Sequence, residues 1–231
     1  MSVIQDAEFG KITIRRSPKS TQVRIRVAPD GTLRASLPMH TPLLFVKRLI
    51  KNSRNELQKL MAQSKPVYNY ENGMQIGKSH TLVIQHTDTQ IFSVARHGQQ
   101  ILVKLPIESQ LNHPEVSRKI RDTVIAALRV EAKSYLPRRL SFLAEKYNHT
   151  YDRVRFSHAS GRWGSCSSNG TISLNIALMK LPFELIDYVI LHELSHTKQM
   201  NHGPLFWLLV SESDPNYKTH RCNLKLQNPS I

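Results

Sequence analysis

The periodicity of the apolar residues changes near residue 110, and that change limits the fold more than any other feature of the chain. Before it, apolar residues recur at every second position. Ile12 and Ile14 alternate with Lys11, Thr13 and Arg15, and Val23, Ile25 and Val27 alternate with Arg24 and Arg26. This spacing predicts half-buried strands of a small antiparallel sheet with a basic outer side. Pro29-Asp30-Gly31 reads as a turn into a third run, 32–37. Thr41-Pro42 predicts a helix start. One amphipathic helix over 43–61 is expected, with Lys47, Arg48, Lys51 and Arg54 on a basic flank. After the turn-rich stretch 66–77, three further strands are expected at 81–86, 91–95 and 101–105. Beyond 110, Val116, Ile120, Val124, Ala127 and Leu128 fall in helical register. Pro137 is expected to end or kink that helix, and a second helix is expected to run to about Tyr147. Strands at 153–156 and 171–175 flank a Ser/Gly-rich loop, 157–170. A helix over 183–200 and two short helical pieces, 204–210 and 217–226, complete the reading. The fold class is therefore α+β, with a strand-rich domain over 1–110, a helix-rich domain over 111–231, a boundary within 108–113 and no internal repeat.

Composition excludes several classes. Nine Gly and 12 Pro in 231 residues rule out collagen-like or low-complexity chains. No apolar run approaches the length of a membrane span. The opening MSVIQDAEFG lacks a basic segment followed by an apolar one, so no signal peptide is expected. Cys166 and Cys222 then read as reduced thiols of a cytoplasmic protein. The 32 Lys and Arg against 17 Asp and Glu give +15, which favours anionic partners. Residues 1–110 carry +9 and residues 111–231 carry +6, so the excess is not a basic tail.

Residues 192–196 read His-Glu-Leu-Ser-His inside the expected helix 183–200. An i, i+4 spacing puts His192 and His196 one turn apart on one face, so two imidazoles can converge on one ion. Glu193 can reach a metal-bound water without ligating the metal. That is the set metal-assisted hydrolysis needs: the ion acidifies water and the carboxylate takes the proton. Both histidines continue the apolar stripe of Leu185 and Val189. His202 follows beside Asn201 and Gly203, which favour a chain reversal that returns a third imidazole and leaves a fourth position for water. The plain alternative is a pair of half-buried core histidines. The other histidines, including His80, His149, His158 and His220, lack ligand spacing and read as packing or surface groups. Cys166 is a weaker candidate ligand.

Arg162-Trp163-Gly164-Ser165-Cys166, Gly170-Thr171-Ile172-Ser173-Leu174-Asn175, His192–His196 and Asn201-His202-Gly203 with Phe206-Trp207 resemble the YgjP-like family of metal-dependent hydrolases, itself similar to SprT-like and WLM metallopeptidases. The resemblance implies a zincin-like core, His192, His196 and His202 as zinc ligands and Glu193 as catalytic base. It also admits a nucleoside-triphosphate (UTP) pyrophosphatase activity. The spacing to His202 equals that of metzincins, but Gln199 stands where those carry glycine and no methionine turn is identifiable.

Three functions follow as expectations. The first is a zinc-dependent metallopeptidase. Mn, Co or Ni are also compatible with three histidines. The second is a nucleotide pyrophosphatase using the same metal, with Arg162, Lys198, Lys218 and Arg221 near the polyphosphate. The third is a basic nucleic-acid-associated module, with DNA-linked protease activity or a structural zinc. Arg162, Asn175, Tyr217 and Arg221 are candidates for substrate binding or oxyanion stabilisation. The expected partners are a peptide or an anionic small molecule, with nucleic acid approached through the basic N-terminal half and no membrane insertion.

Overall fold

A computed structural model describes residues 2–18, 20–28, 32–63, 70–111 and 113–231. The turn expected at Pro29-Asp30-Gly31 and part of the stretch 66–77 lie outside the described residues. The chain divides into two compact units, Met1–Tyr68 and Asn69–Ile231.

In the first unit, β1 (Ser2–Asp6), β2 (Gly10–Arg16), β3 (Arg24–Val27) and β4 (Leu33–Leu37) form a sheet in the order β1-β2-β4-β3. The pair β2–β4 is parallel and the others are antiparallel. Period two has the consequence expected of it. Ile4, Ile12, Ile14, Leu33, Ala35 and Leu37 are buried together with Val46, Ile50 and Leu57 of the helices. The single helix expected over 43–61 is two, α1 (Leu43–Asn52) and α2 (Arg54–Gln63), separated at Ser53. Arg54, at the start of α2, binds Asp6 at 3.0 Å and Glu8 at 2.6 Å.

In the second unit, β5 (Gln75–Ile76), β6 (His80–Thr87), β7 (Ser93–His97) and β8 (Gln100–Pro106) form a second four-stranded sheet in the order β5-β6-β8-β7, again with one parallel pair, β6–β8. Strand order and strand directions are the same in both sheets, and a helix follows each. The expectation of no internal repeat therefore fails at the level of topology. In sequence the kinship is confined to a few positions: 21–38 and 89–106 both begin Thr-Gln and end Leu-Pro.

The boundary expected within 108–113 tracks composition rather than packing. The second sheet belongs with the helices because α3 (Pro114–Lys146) packs on it. Glu131 of α3 fixes that contact. Its carboxylate accepts the backbone N–H groups of Lys78 (2.7 Å), Ser79 (2.9 Å) and His80 (3.2 Å), the Ser79 hydroxyl (2.8 Å) and His80 Nδ1 (2.6 Å). These hydrogen bonds hold the carboxyl below its ordinary range against the opposing effect of burial. Gly77 passes so close that a Cβ there would lie 2.2 Å from Glu131 Oε2. His80, read as an ordinary surface or packing group, is thus a buried member of this clamp.

α3 runs unbroken through Pro137. Leu136 and Leu140 are fully buried on either side, and packing compensates for the backbone hydrogen bond that proline removes. A third sheet, β10-β11-β9, is made of β9 (Arg153–Ser157), β10 (Gly164–Cys166) and β11 (Thr171–Asn175). Strand β10 lies within the stretch read from sequence as loop. A buried 3-10 turn over Ile176–Lys180 leads to α4 (Phe183–Ser195), α5 (Pro204–Ser213) and α6 (Tyr217–Lys225). Among the described residues no helix is long and apolar enough to cross a membrane.

His149 follows the end of α3 and is buried. Burial, reinforced by the charge of Lys198, pushes its pKa down to about 4. The folded protein therefore keeps this ring neutral while the unfolded chain protonates it near pH 6.5. The stability this supplies is complete above that pH and is lost as the pH falls from about 6.5 to 4, an effect of about 3 kcal/mol. Denaturant midpoints of wild type should accordingly fall more steeply over that window than those of His149→Gln. Parallel curves would count against the assignment.

Candidate metal centre

α4 is largely apolar and mostly buried, and its burial carries the motif with it. Leu185, Ile186, Val189 and Ile190 are buried against the core, and one turn further on His192 and His196 emerge on the same face. The helix ends at Ser195, five residues short of the expected Met200, with His196 as its C-cap. The turn that follows lets Gly203 N–H bond Asn201 O at 2.8 Å and starts α5. His202 is thereby brought back onto α4.

The ring nitrogens of His192, His196 and His202 lie within 4.8 Å of one another. His192 Nε2 and His202 Nε2 face each other at 3.1 Å. Two metal–nitrogen bonds of about 2.05 Å at a tetrahedral angle would set their nitrogens roughly 3.3 Å apart, so the pair is close to ligand spacing. His196 Nδ1 donates to Gln199 O at 3.0 Å, which leaves Nε2 free as a ligand atom. Phe206 is fully buried beneath all three rings, with centroids 4.9, 4.4 and 4.7 Å away. Burial depresses the pKa of His192 to about 3, helped by its two partner imidazoles and Arg221, and lowers that of His196. Neutral imidazoles are the form that ligates a metal. The three residues fit an ion. Cys166 is not a member of the group; burial, with the Glu193 charge, raises its thiol pKa.

Glu193 is buried, and that burial pushes its pKa up to about 8 against the pull of Arg162. Its carboxyl rests on β10. A Cβ on Gly164 would lie 2.5 Å from Glu193 Oε1 and 2.7 Å from Cγ. The glycine of the Arg-Trp-Gly-Ser-Cys segment thus leaves room for the carboxyl, which spacing alone did not reveal. Gly164→Ala is expected to keep its metal yet lose hydrolytic activity by roughly 10²-fold, since a displacement of about 1 Å in a reacting group costs that much. Turnover at matched metal content tests it, and unchanged turnover would mean that Gly164 does not set the position of the carboxyl.

The remaining candidates separate. Asn175 is fully buried and bound to backbone: it donates to Ala159 O (2.7 Å) and Arg162 O (2.9 Å) and accepts from Ala177 N–H (3.0 Å). It is placed to hold the loop before β10 rather than to touch substrate. Tyr217 and Arg221 occupy one face of α6 and both meet Trp207, the Tyr217 ring at 5.6 Å and the Arg221 guanidinium at 4.5 Å. Trp207 in turn lies 5.9 Å from His192. Two neighbours went unnoticed in the sequence. Tyr188 of α4 sits between the His192 and His220 rings, 6.0 and 6.3 Å away. Its pKa is raised by burial to about 12, so its hydroxyl stays protonated. Asp214 holds His220 Nδ1 at 2.7 Å.

The profile of a family described as YgjP-like, metallopeptidase domain, matches residues 21–227. Among solved structures, the metallopeptidase zymogen abylysin of Pyrococcus abyssi is 26% identical, with a TM-score of 0.36 over 41% of this chain and 98% of that one. The metallopeptidase zymogen jannalysin of Methanocaldococcus jannaschii is 22% identical, with a TM-score of 0.35 over 39% and 93%. No curated protein matches the sequence.

Proposed function

Because the chain belongs to the YgjP-like family of metallopeptidase domains, we propose that it is a metal-dependent peptidase in which His192, His196 and His202 hold the ion and Glu193 moves the proton. The observation that carries this reading is the convergence of three imidazoles on one point beside a buried carboxyl. Three nitrogen ligands with an open fourth position suit zinc best; Mn, Co or Ni would compete for the same set.

When bound, such an ion acidifies water and polarises the carbonyl under attack. Glu193 takes the proton of the attacking water on its carboxylate and returns it to the leaving amine nitrogen. Gly164 fixes where that carboxylate stands. Arg162, whose charge acts on Glu193, favours the ionised form needed to accept the proton. Arg221 and Tyr217, stacked on Trp207, are the proposed stabilisers of the developing oxyanion.

A peptide fits this site better than a nucleotide. β10 is an edge strand, and no strand pairs with its outer side among the described residues. An extended peptide added there by main-chain hydrogen bonds would run past Gly164 and so past Glu193. Of the four cations proposed for a polyphosphate, Arg162 acts on Glu193 and Arg221 on His192, whereas Lys198 acts on His149. Incubating the metal-loaded chain with a peptide library and, separately, a nucleoside-triphosphate panel decides between them. Peptide cleavage that a chelator stops is the expected result. Pyrophosphate release without peptide cleavage would replace the peptidase reading.

A further inference from the structure

We propose that a cavity bounded by the β5–β6 turn, the β7–β8 turn, α3 and the start of α4 binds a small monocarboxylate with an apolar body. The cavity has a volume of about 320 Å³ and lies wholly within the second unit. That volume falls at the lower end of the range for small-molecule sites. It is separate from the metal centre. Phe183, on its wall, opens α4, and His192 stands nine residues further on, about 13 Å along the helix axis. One part of the wall is apolar: Val130 and Tyr135 of α3 face it together with Phe183. The Tyr135 and Phe183 rings stand 5.4 Å apart, and Val130 and Phe183 are 48% and 50% exposed. An aryl or short alkyl group laid there would remove this surface from water.

Lys78 and Arg96 set the sign of the ligand. Lys78 Nζ donates to Leu181 O at 2.5 Å and lies 4.3 Å from the centre of the Phe183 ring. Arg96 Nη1 donates to Gly98 O at 3.0 Å. An ammonium carries three N–H donors and a guanidinium five, so both keep donors for a ligand. Among the described residues no carboxylate lies within ion-pair distance of either group. Burial lowers the Lys78 pKa although Glu184 and Glu131 pull it the other way, as expected of a cation whose counter-charge is incomplete. Glu131 also lines the cavity, but its carboxylate already accepts from Lys78, Ser79 and His80 and has no place for a ligand cation. Two cations against this one carboxylate match a single negative charge better than a phosphate dianion. A carboxylate can accept from both cations while its apolar body covers Val130, Tyr135 and Phe183.

A ligand-observed NMR titration of the metal-loaded full chain with 3-phenylpropionate should show saturable binding with a Kd on the order of 1 mM, a reasonable affinity for about eleven non-hydrogen atoms. The uncharged 3-phenylpropionamide and the cationic 3-phenylpropylamine should bind at least about 10-fold more weakly, because the charge-assisted hydrogen bonds are lost. Lys78→Gln and Arg96→Gln are each expected to weaken carboxylate binding by about 5- to 10-fold. Lys133→Gln removes an exposed α3 cation outside the lining and should change affinity by less than about 2-fold. Ser134→Trp, at an exposed lining position, should fill the cavity and abolish binding. Melting temperatures check folding; if Lys78→Gln or Ser134→Trp unfolds, Arg96→Gln at its exposed position decides. His202→Ala, which lacks one candidate metal ligand, should bind the carboxylate as wild type does. Absence of saturable binding, equal or tighter binding of the amide or the amine, wild-type affinity in Arg96→Gln, or loss of binding in His202→Ala, which would place the carboxylate on the metal ion, would each overturn the proposal.

Discussion

Glu193→Gln is expected to lower peptide turnover by roughly 10³-fold, about 4 kcal/mol in activation free energy, while one metal ion remains bound per chain. Gln has the shape of Glu and fits over Gly164, so the change removes a proton acceptor without opening a void. The triad beside it does not depend on the Glu193 charge: its rings are set by Phe206 beneath and by the bond from His196 Nδ1 to Gln199 O. Turnover and affinity for substrate should therefore separate, with kcat and kcat/KM falling together and KM little changed. A variant that kept wild-type turnover would remove Glu193 from the chemistry. A variant that lost both turnover and metal would give it a structural role instead.

Glu131→Ala is expected to be the most damaging single change to stability. It would strand three backbone N–H groups, the Ser79 hydroxyl and the His80 Nδ1 donor where side-chain and backbone burial excludes most water. The cost is on the order of 4 kcal/mol. For a chain of this size that corresponds to a melting temperature lowered by about 8–16 °C. Glu131→Gln, which keeps one carbonyl oxygen as acceptor, should recover part of the loss. Thermal unfolding of the three proteins side by side tests this, and a melting temperature unchanged by Glu131→Ala would mean that the β5–β6 turn is held by other contacts.

What was legible in the sequence was what is local. His192, Glu193, His196 and His202 lie within eleven residues, and helical spacing plus one turn brings them together. The alternation over 11–16, 24–27 and 33–37 likewise fixed which side of the first sheet is buried, because period two leaves a strand no freedom about its faces. The misreadings arose where distant residues decide the outcome. Gly164 lies 29 positions before Glu193, in a stretch whose Ser and Gly read as loop, and only the close approach of that carboxyl explains it. The boundary was drawn at the change of composition because nothing local announces that Glu131 of a helix holds the turn before β6. Pro137 signalled a break that the buried Leu136 and Leu140 outweigh. The repeated sheet topology was hidden because strand order and direction are shared while most residue identities are not.

In the proposed peptidase, His192, His196 and His202 jointly hold one ion on which peptide hydrolysis depends. The most direct measurement strips the protein with a chelator and adds zinc back in steps while peptide cleavage is followed. The stripped protein should show no cleavage, the wild type should rise to a plateau at one ion per chain, and His202→Ala should show no comparable rise. Cleavage that survives stripping, or restoration of His202→Ala along the wild-type curve, would contradict this assignment.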